Sequence, residues 1–123
     1  MILVDTSVWI DHLHRAEPAL AELLEQADVC RHPMIVAELA LAIMRDRRTV
    51  LGLLGNLPGV NMPAHDEVLR LVGSSVLYGK GLSVVDAHLL AAARINDDVR
   101  LWTRDKRLRA EAERLNVAAV GLA

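Results

Sequence analysis

Short apolar runs, too brief to be helices, recur along this chain between stretches with helical spacing, and that alternation dictates most of its architecture. Ile2-Leu3-Val4, Val29-Cys30-Arg31, Val60-Asn61-Met62, Leu101-Trp102-Thr103 and Val117 to Val120 read as strands. Helical segments fill the gaps. One runs from Thr6-Ser7 through Trp9, Ile10 and Leu13, and Pro18 opens a second with Leu20, Leu23 and Leu24 on its inner side. Pro33 opens a third, which carries Glu38 and runs to the charged cluster Arg45-Asp46-Arg47-Arg48. Thr49 to Leu57, Asp66 to about Tyr78, a Ser83-capped helix through Ile95, and Lys106 to Leu115 complete the set. Strand–helix alternation predicts an α/β sandwich with a mostly parallel central sheet flanked by helices. No linker, repeat or low-complexity stretch divides residues 1–123, so a single domain is expected.

The core of such a domain must be aliphatic. Hydrophobic residues make up 53% of the chain, yet only 2% are aromatic and there is no Phe. With Trp9, Trp102 and Tyr78 as the only such rings, the composition argues against a platform that stacks several bases. A single Cys30 forbids an internal disulfide and fits a reducing cytosol. Asp5 interrupts the opening apolar run, no basic segment precedes it, and nothing approaches the roughly 18 apolar residues of a membrane span. A soluble cytoplasmic protein is the expectation.

Glu38 is the only charge in the run Met34-Ile35-Val36-Ala37-Glu38-Leu39-Ala40-Leu41-Ala42-Ile43-Met44. A carboxylate taken out of water without a partner costs several kcal/mol or gives up its charge, so one kept there suggests a bound cation. Asp5 and Asp105 fall at predicted strand ends and Asp86 in the first turn of its helix, where the amide dipoles favour an anion. Converging, the four carboxylates would offer oxygen donors suited to Mg²⁺ or Mn²⁺ rather than zinc. Such a site can drive phosphodiester hydrolysis without a nucleophilic side chain. Thr103 is a candidate for the hydroxyl that orients a ligand.

Each residue also has a plain structural reading. Ser83-Val84-Val85-Asp86 has capping-box spacing, Asp105 can cap the last helix, Asp5-Thr6-Ser7 can be a strand-to-helix turn, and Glu38 can pair with an arginine. The joint pattern favours the site. His12, His14, His32, His65 and His88 show no ligand spacing, and Gly79-Lys80-Gly81 lacks the phosphate-loop pattern, so Lys80 is expected in a solvated turn. Net charge is −2, but with the four carboxylates set aside bases outnumber acids, which permits a nucleic-acid partner.

The chain resembles the PIN-domain ribonucleases, and within them the VapC-type toxins of bacterial toxin–antitoxin pairs. The resemblance rests on Met-Ile-Leu-Val-Asp5-Thr6-Ser7, Ile-Val-Ala-Glu38-Leu, Leu-Ser-Val-Val-Asp86-Ala-His-Leu-Leu-Ala-Ala-Ala and Leu-Trp-Thr103-Arg-Asp105, which occur in the family's order over nearly the whole chain. It implies a PIN-like three-layer sandwich, with Asp5, Glu38, Asp86 and Asp105 as catalytic metal ligands for Mg²⁺ or Mn²⁺ in an endoribonuclease. It also implies an RNA substrate, a cognate VapB-like antitoxin and a homodimer. One departure is Lys106-Arg107-Leu108 after Asp105, where many relatives have Asp-Phe, leaving Leu108 to serve as the apolar anchor. Arg45, Arg47, Arg48, Arg104, Lys106, Arg107 and Arg109 are candidate phosphate contacts. A phosphotransferase with Asp5 as nucleophile is disfavoured because Ser7 stands where a second Asp belongs. A non-catalytic RNA- or protein-binding module with a vestigial acidic pocket is the alternative.

Overall fold

A computed structural model describes residues 1–123. Its centre is β1 (Ile2–Val4), which pairs in parallel with β2 (Val29–Cys30) on one side and β3 (Arg100–Trp102) on the other, giving the order β2-β1-β3. The registers set Ile2 against Val29 and Arg100, Leu3 against Cys30 and Leu101, and Val4 against Trp102. Parallel neighbours need long crossovers, and the helices supply them: α1 (Thr6–His14), α2 (Pro18–Glu25), α3 (Pro33–Leu41), α4 (Arg47–Gly55), α5 (His65–Ser74), α6 (Val84–Ile95) and α7 (Lys106–Arg114).

Two of the five expected strands shrink to single bridges. Arg31 pairs with Gly59 rather than with a strand at Val60–Met62, and Leu101 pairs with Ala118 rather than with a strand at Val117–Val120. Pro58 and Pro63 flank the first site and carry no N–H for a ladder. Beyond the second, the backbone turns to a positive φ at Gly121 and leaves Val120 almost fully exposed.

One aliphatic cluster holds the layers together, with Leu3, Val4, Leu89, Leu90, Leu101 and Leu108 at its centre. Each such leucine contributes about 1.5–3 kcal/mol through the area it removes from water. Helix α6 is the innermost element, buried at every position from Ala87 to Ala93 and packed on β3, α5 and α7. Its alanines permit that close approach, because a larger side chain there would push the neighbours apart. Helix α1 packs on α3, and α3 on α4.

The start of α3 shows how a buried polar group is satisfied. Pro33 occupies the first turn, and His32, 1% exposed, accepts the Met34 N–H at Nδ1 over 3.1 Å. Nδ1 must therefore be unprotonated, and Nε2 carries the ring proton without a partner. Burial, assisted by the nearby His88, lowers the His32 pKa from 6.5 to about 4. Because the folded pKa lies below the unfolded one, the unfolded chain binds the extra proton in this interval, and stability rises with pH from about 4 to 6.5. Thermal melts across that range are expected to show the rise. His32→Asn, which keeps an acceptor for Met34 and cannot titrate, flattens it; parallel profiles for the two proteins would exclude His32 as the source.

Candidate functional site

Asp5 leaves the carboxyl end of β1 and occupies the N-cap position of α1, its N–H bonded to Trp102 O over 2.8 Å. The side chain does not cap the helix. Instead Oδ2 accepts from Ser7 Oγ at 2.8 Å and from Thr103 Oγ1 at 2.7 Å. Each hydroxyl in turn accepts a backbone N–H, Ser7 from Arg104 and Thr103 from Asp105, both at 3.1 Å. With its proton committed to Asp5 and its lone pair to an amide, neither hydroxyl is free to rotate. Strand β3 and helix α1 thus fix one carboxylate that is itself 7% exposed. Thr103, expected as an orienting hydroxyl, does donate to Asp5, and Ser7 is a second hydroxyl that does so. The sequence pointed to Ser7 only as part of a strand-to-helix turn, although a hydroxyl two positions after a strand-ending Asp was the available signal.

Glu38 departs from its expected surroundings. Helix α3 buries Ile35 and Leu39 but exposes Ala37, Glu38 and Leu41. It ends at Leu41, and Ile43 is wholly exposed. Glu38 is therefore a solvent-facing carboxylate, and the desolvation argument made from its apolar neighbours applies to Asp5 instead. Its one hydrogen bond comes from Thr6 Oγ1 to Oε1 at 2.7 Å, which ties it to the residue following Asp5; it pairs with no arginine.

Asp86 and Asp105 do cap their helices. Asp86 Oδ2 accepts the Ser83 N–H at 3.0 Å while Ser83 Oγ accepts the Asp86 N–H at 3.1 Å, a complete capping box. Burial raises the Asp86 pKa, the two Ser83 hydrogen bonds oppose it, and the charges of Asp5 and Asp105 raise it further. Those last two causes place Asp5 and Asp105 each within electrostatic reach of Asp86. Asp105 Oδ1 accepts the N–H groups of Arg107 and Leu108 at 2.9 and 3.1 Å, and Leu108 is fully buried as the anchor of that turn.

A common feature emerges. Each of the four carboxylates uses one oxygen on neutral donors and leaves the other, Asp5 Oδ1, Glu38 Oε2, Asp86 Oδ1 or Asp105 Oδ2, without a hydrogen bond. None has a Lys or Arg partner. A set of oxygen donors like this suits a hard divalent cation by type. As they stand, no three His, Cys, Asp or Glu side chains are arranged to hold a metal ion.

Several of the candidate bases are otherwise engaged. Arg104 bridges Asp11 and Glu17, both at 2.7 Å, donates to Ala123 O and lies over the Trp102 ring. Lys80, expected in a solvated turn, pairs with Glu111 at 2.9 Å and is the main cause of that carboxyl's lowered pKa. Arg109 pairs with Glu113, and Arg47 donates to Ala40 O. Arg45, Arg48, Lys106 and Arg107 have no acidic partner. His88 is bonded to His65, ring nitrogen to ring nitrogen at 2.9 Å, rather than turned to the carboxylates.

Comparison with known proteins identifies the fold and the family. The crystal structure of PAE2754 from Pyrobaculum aerophilum superposes with a TM-score of 0.61, covering 94% of each chain at 18% identity, a likeness of fold. Ribonuclease VapC32 of Mycobacterium tuberculosis, from strain CDC 1551 / Oshkosh and from strain ATCC 25618 / H37Rv, is 51% identical over 118 residues, covering 96% of this chain and 95% of that protein. The family model of the PIN domain matches residues 2–113. The chain belongs to the PIN-domain family, in its VapC-type branch.

Proposed function

We propose that this protein is a divalent-metal-dependent endoribonuclease and the toxin of a type II toxin–antitoxin pair. The observation that carries the proposal is the buried Asp5 carboxylate, held only by neutral hydroxyls, whose charge reaches Asp86 together with that of Asp105, and whose neighbour Thr6 holds Glu38; none of the four has a basic partner. Asp5, Asp86 and Asp105 are assigned as metal ligands, and Glu38 as a ligand or as the group that orients the attacking water. These residues would hold Mg²⁺ or Mn²⁺, which would supply polarisation of a phosphoryl oxygen, a more acidic water and an offset to charge on the leaving oxygen. Ser7 and Thr103 keep Asp5 in one orientation, and the Ser83 box does the same for Asp86. Glu38, exposed and bonded only through Oε1, is the carboxylate best placed to accept a proton from water.

Relatedness to VapC32 supports RNA as substrate and a VapB-like antitoxin as partner. A concavity of about 500 Å³ between α1 and the end of α3, lined by Ile10, Leu13, Leu39, Ile43 and Met44, offers an apolar surface for such a partner. A homodimer belongs to the same proposal. No helix is long and apolar enough to cross a membrane, in keeping with a cytoplasmic site of action.

Labelled RNA incubated with the purified protein and Mn²⁺ is expected to be cleaved, and EDTA is expected to stop the cleavage. RNA that is bound but left intact would favour the non-catalytic module, in which the capping roles of Asp86 and Asp105 are their only roles.

A further inference from the structure

Arg107 stands apart from the other bases near the acidic residues. It has no acidic partner, yet its side chain is packed against backbone. From the first turn of α7 it crosses Gly81 in the α5–α6 loop, where φ is +75°. A Cβ at Gly81 would meet Arg107 Nη1 at 2.6 Å, Cδ at 3.0 Å and Cζ at 3.1 Å, so any side chain there would unseat the guanidinium. The loop beneath is itself clamped: Lys80 pairs with Glu111 of α7, and Arg114 holds both Glu111 and Ser75 O.

The seat lies where two of the proposed ligands originate. Gly81 is two residues before Ser83, whose N–H is capped by Asp86, and the Arg107 N–H is held by Asp105 Oδ1. The Arg107 side chain therefore runs from the N-terminal turn of α7, which follows Asp105, to the loop three residues before α6, which carries Asp86. A planar fork laid over the Gly81 backbone on an exposed residue, with its donors uncommitted to any carboxylate, is suited to bidentate contact with a phosphate.

We propose that Arg107, seated on Gly81, is a substrate-binding residue that contacts a backbone phosphate of the RNA at the rim of the acidic site. The proposal rests on the nuclease reading above. It differs from a general basic surface in assigning the contact to one side chain and the seat to one glycine.

The test compares cleavage of a labelled single-stranded RNA by wild type, Arg107→Gln, Arg107→Lys and Gly81→Ala over a series of KCl concentrations at saturating Mn²⁺. Arg94→Gln, which removes the same charge at the far end of α6, is the control. Arg107→Gln is expected to raise KM about tenfold with kcat within about twofold, and to make the slope of log(kcat/KM) against log[KCl] shallower by about 0.7, the contribution of one phosphate contact on a single strand. Lysine restores the slope but only part of KM, since it keeps the charge and loses the fork. Gly81→Ala, checked for folding by thermal melt, reproduces the KM change; should it fail to fold, the Arg107 variants decide alone.

Parameters for Arg107→Gln equal to those of wild type or of Arg94→Gln overturn the proposal and leave the nuclease reading intact. A shift confined to kcat with an altered Mn²⁺ requirement also overturns it, because the residue would then act through Asp105. Wild type that cleaves no RNA removes both.

Discussion

Asp5→Asn is expected to reduce RNA cleavage about a thousandfold or more while leaving the protein folded. The loss corresponds to ~4 kcal/mol of transition-state stabilisation, within the several kcal/mol that a metal can supply. The asparagine carbonyl can still accept from Ser7 and Thr103, so the two hydroxyls that meet at Asp5 keep a partner. Asp5→Ala is expected to lose activity equally but also to be less stable. It strands two hydroxyl donors, each bond to a carboxylate being worth roughly 1.5–3 kcal/mol. Initial rates with saturating Mn²⁺, read beside thermal melts, separate the two effects. An Asp5→Asn enzyme within tenfold of wild type would remove Asp5 from the reaction.

The second large effect concerns Asp86 and is read without RNA. In the metal-free protein its pKa is raised, first by burial and then by Asp5 and Asp105. A carboxyl whose folded pKa exceeds its unfolded value of 3.8 binds more protons folded than unfolded as pH passes between the two. Stability therefore falls as pH rises through that window. Asp86→Asn has no such penalty and can still accept the Ser83 N–H. Its melting temperature in EDTA at neutral pH is expected to equal or exceed that of wild type, the gap closing on acidification. Adding MnCl₂ raises the wild-type melting temperature through linkage and leaves the variant unmoved. Destabilisation by about 1 kcal/mol or more, roughly 4 °C for a domain of this size, would mark Asp86 as a cap and nothing further. An undiminished response to Mn²⁺ would count equally against its role as ligand.

Local chemistry made much of this architecture legible. Ile2-Leu3-Val4 and Leu101-Trp102 are strands because they are short, apolar and flanked by turn-forming residues. Pro18 and Pro33 mark helix starts because their fixed φ suits the first turn, and the Ser83–Asp86 spacing announced a capping box that is present in full. Spacing could not convey facing. The apolar run around Glu38 implied enclosure, but a helix with one buried face leaves the other in water, and that is where Glu38 lies. Long-range pairing was equally invisible: Arg104 meets Asp11 and Glu17 across more than 80 positions of chain, and Lys80 meets Glu111 across 31. The strand expectations at Val60 and Val117 failed because β propensity does not count the backbone donors a neighbouring edge can use.

The brevity of the outer strands bears on how this molecule can meet others. β2 contributes two residues and β3 three, and a single bridge occupies the margin beyond each. Few main-chain amides are left along either border to template an incoming strand, which denies the chain a common route to uncontrolled fibre growth. Recognition by a companion would then proceed through side chains away from the sheet border, where the uncovered Leu41 at the end of α3 and Ile43 just beyond it present apolar ground. Selectivity there depends on the shape of an opposing apolar face, a quality that mutation can retune one residue at a time without disturbing the sheet.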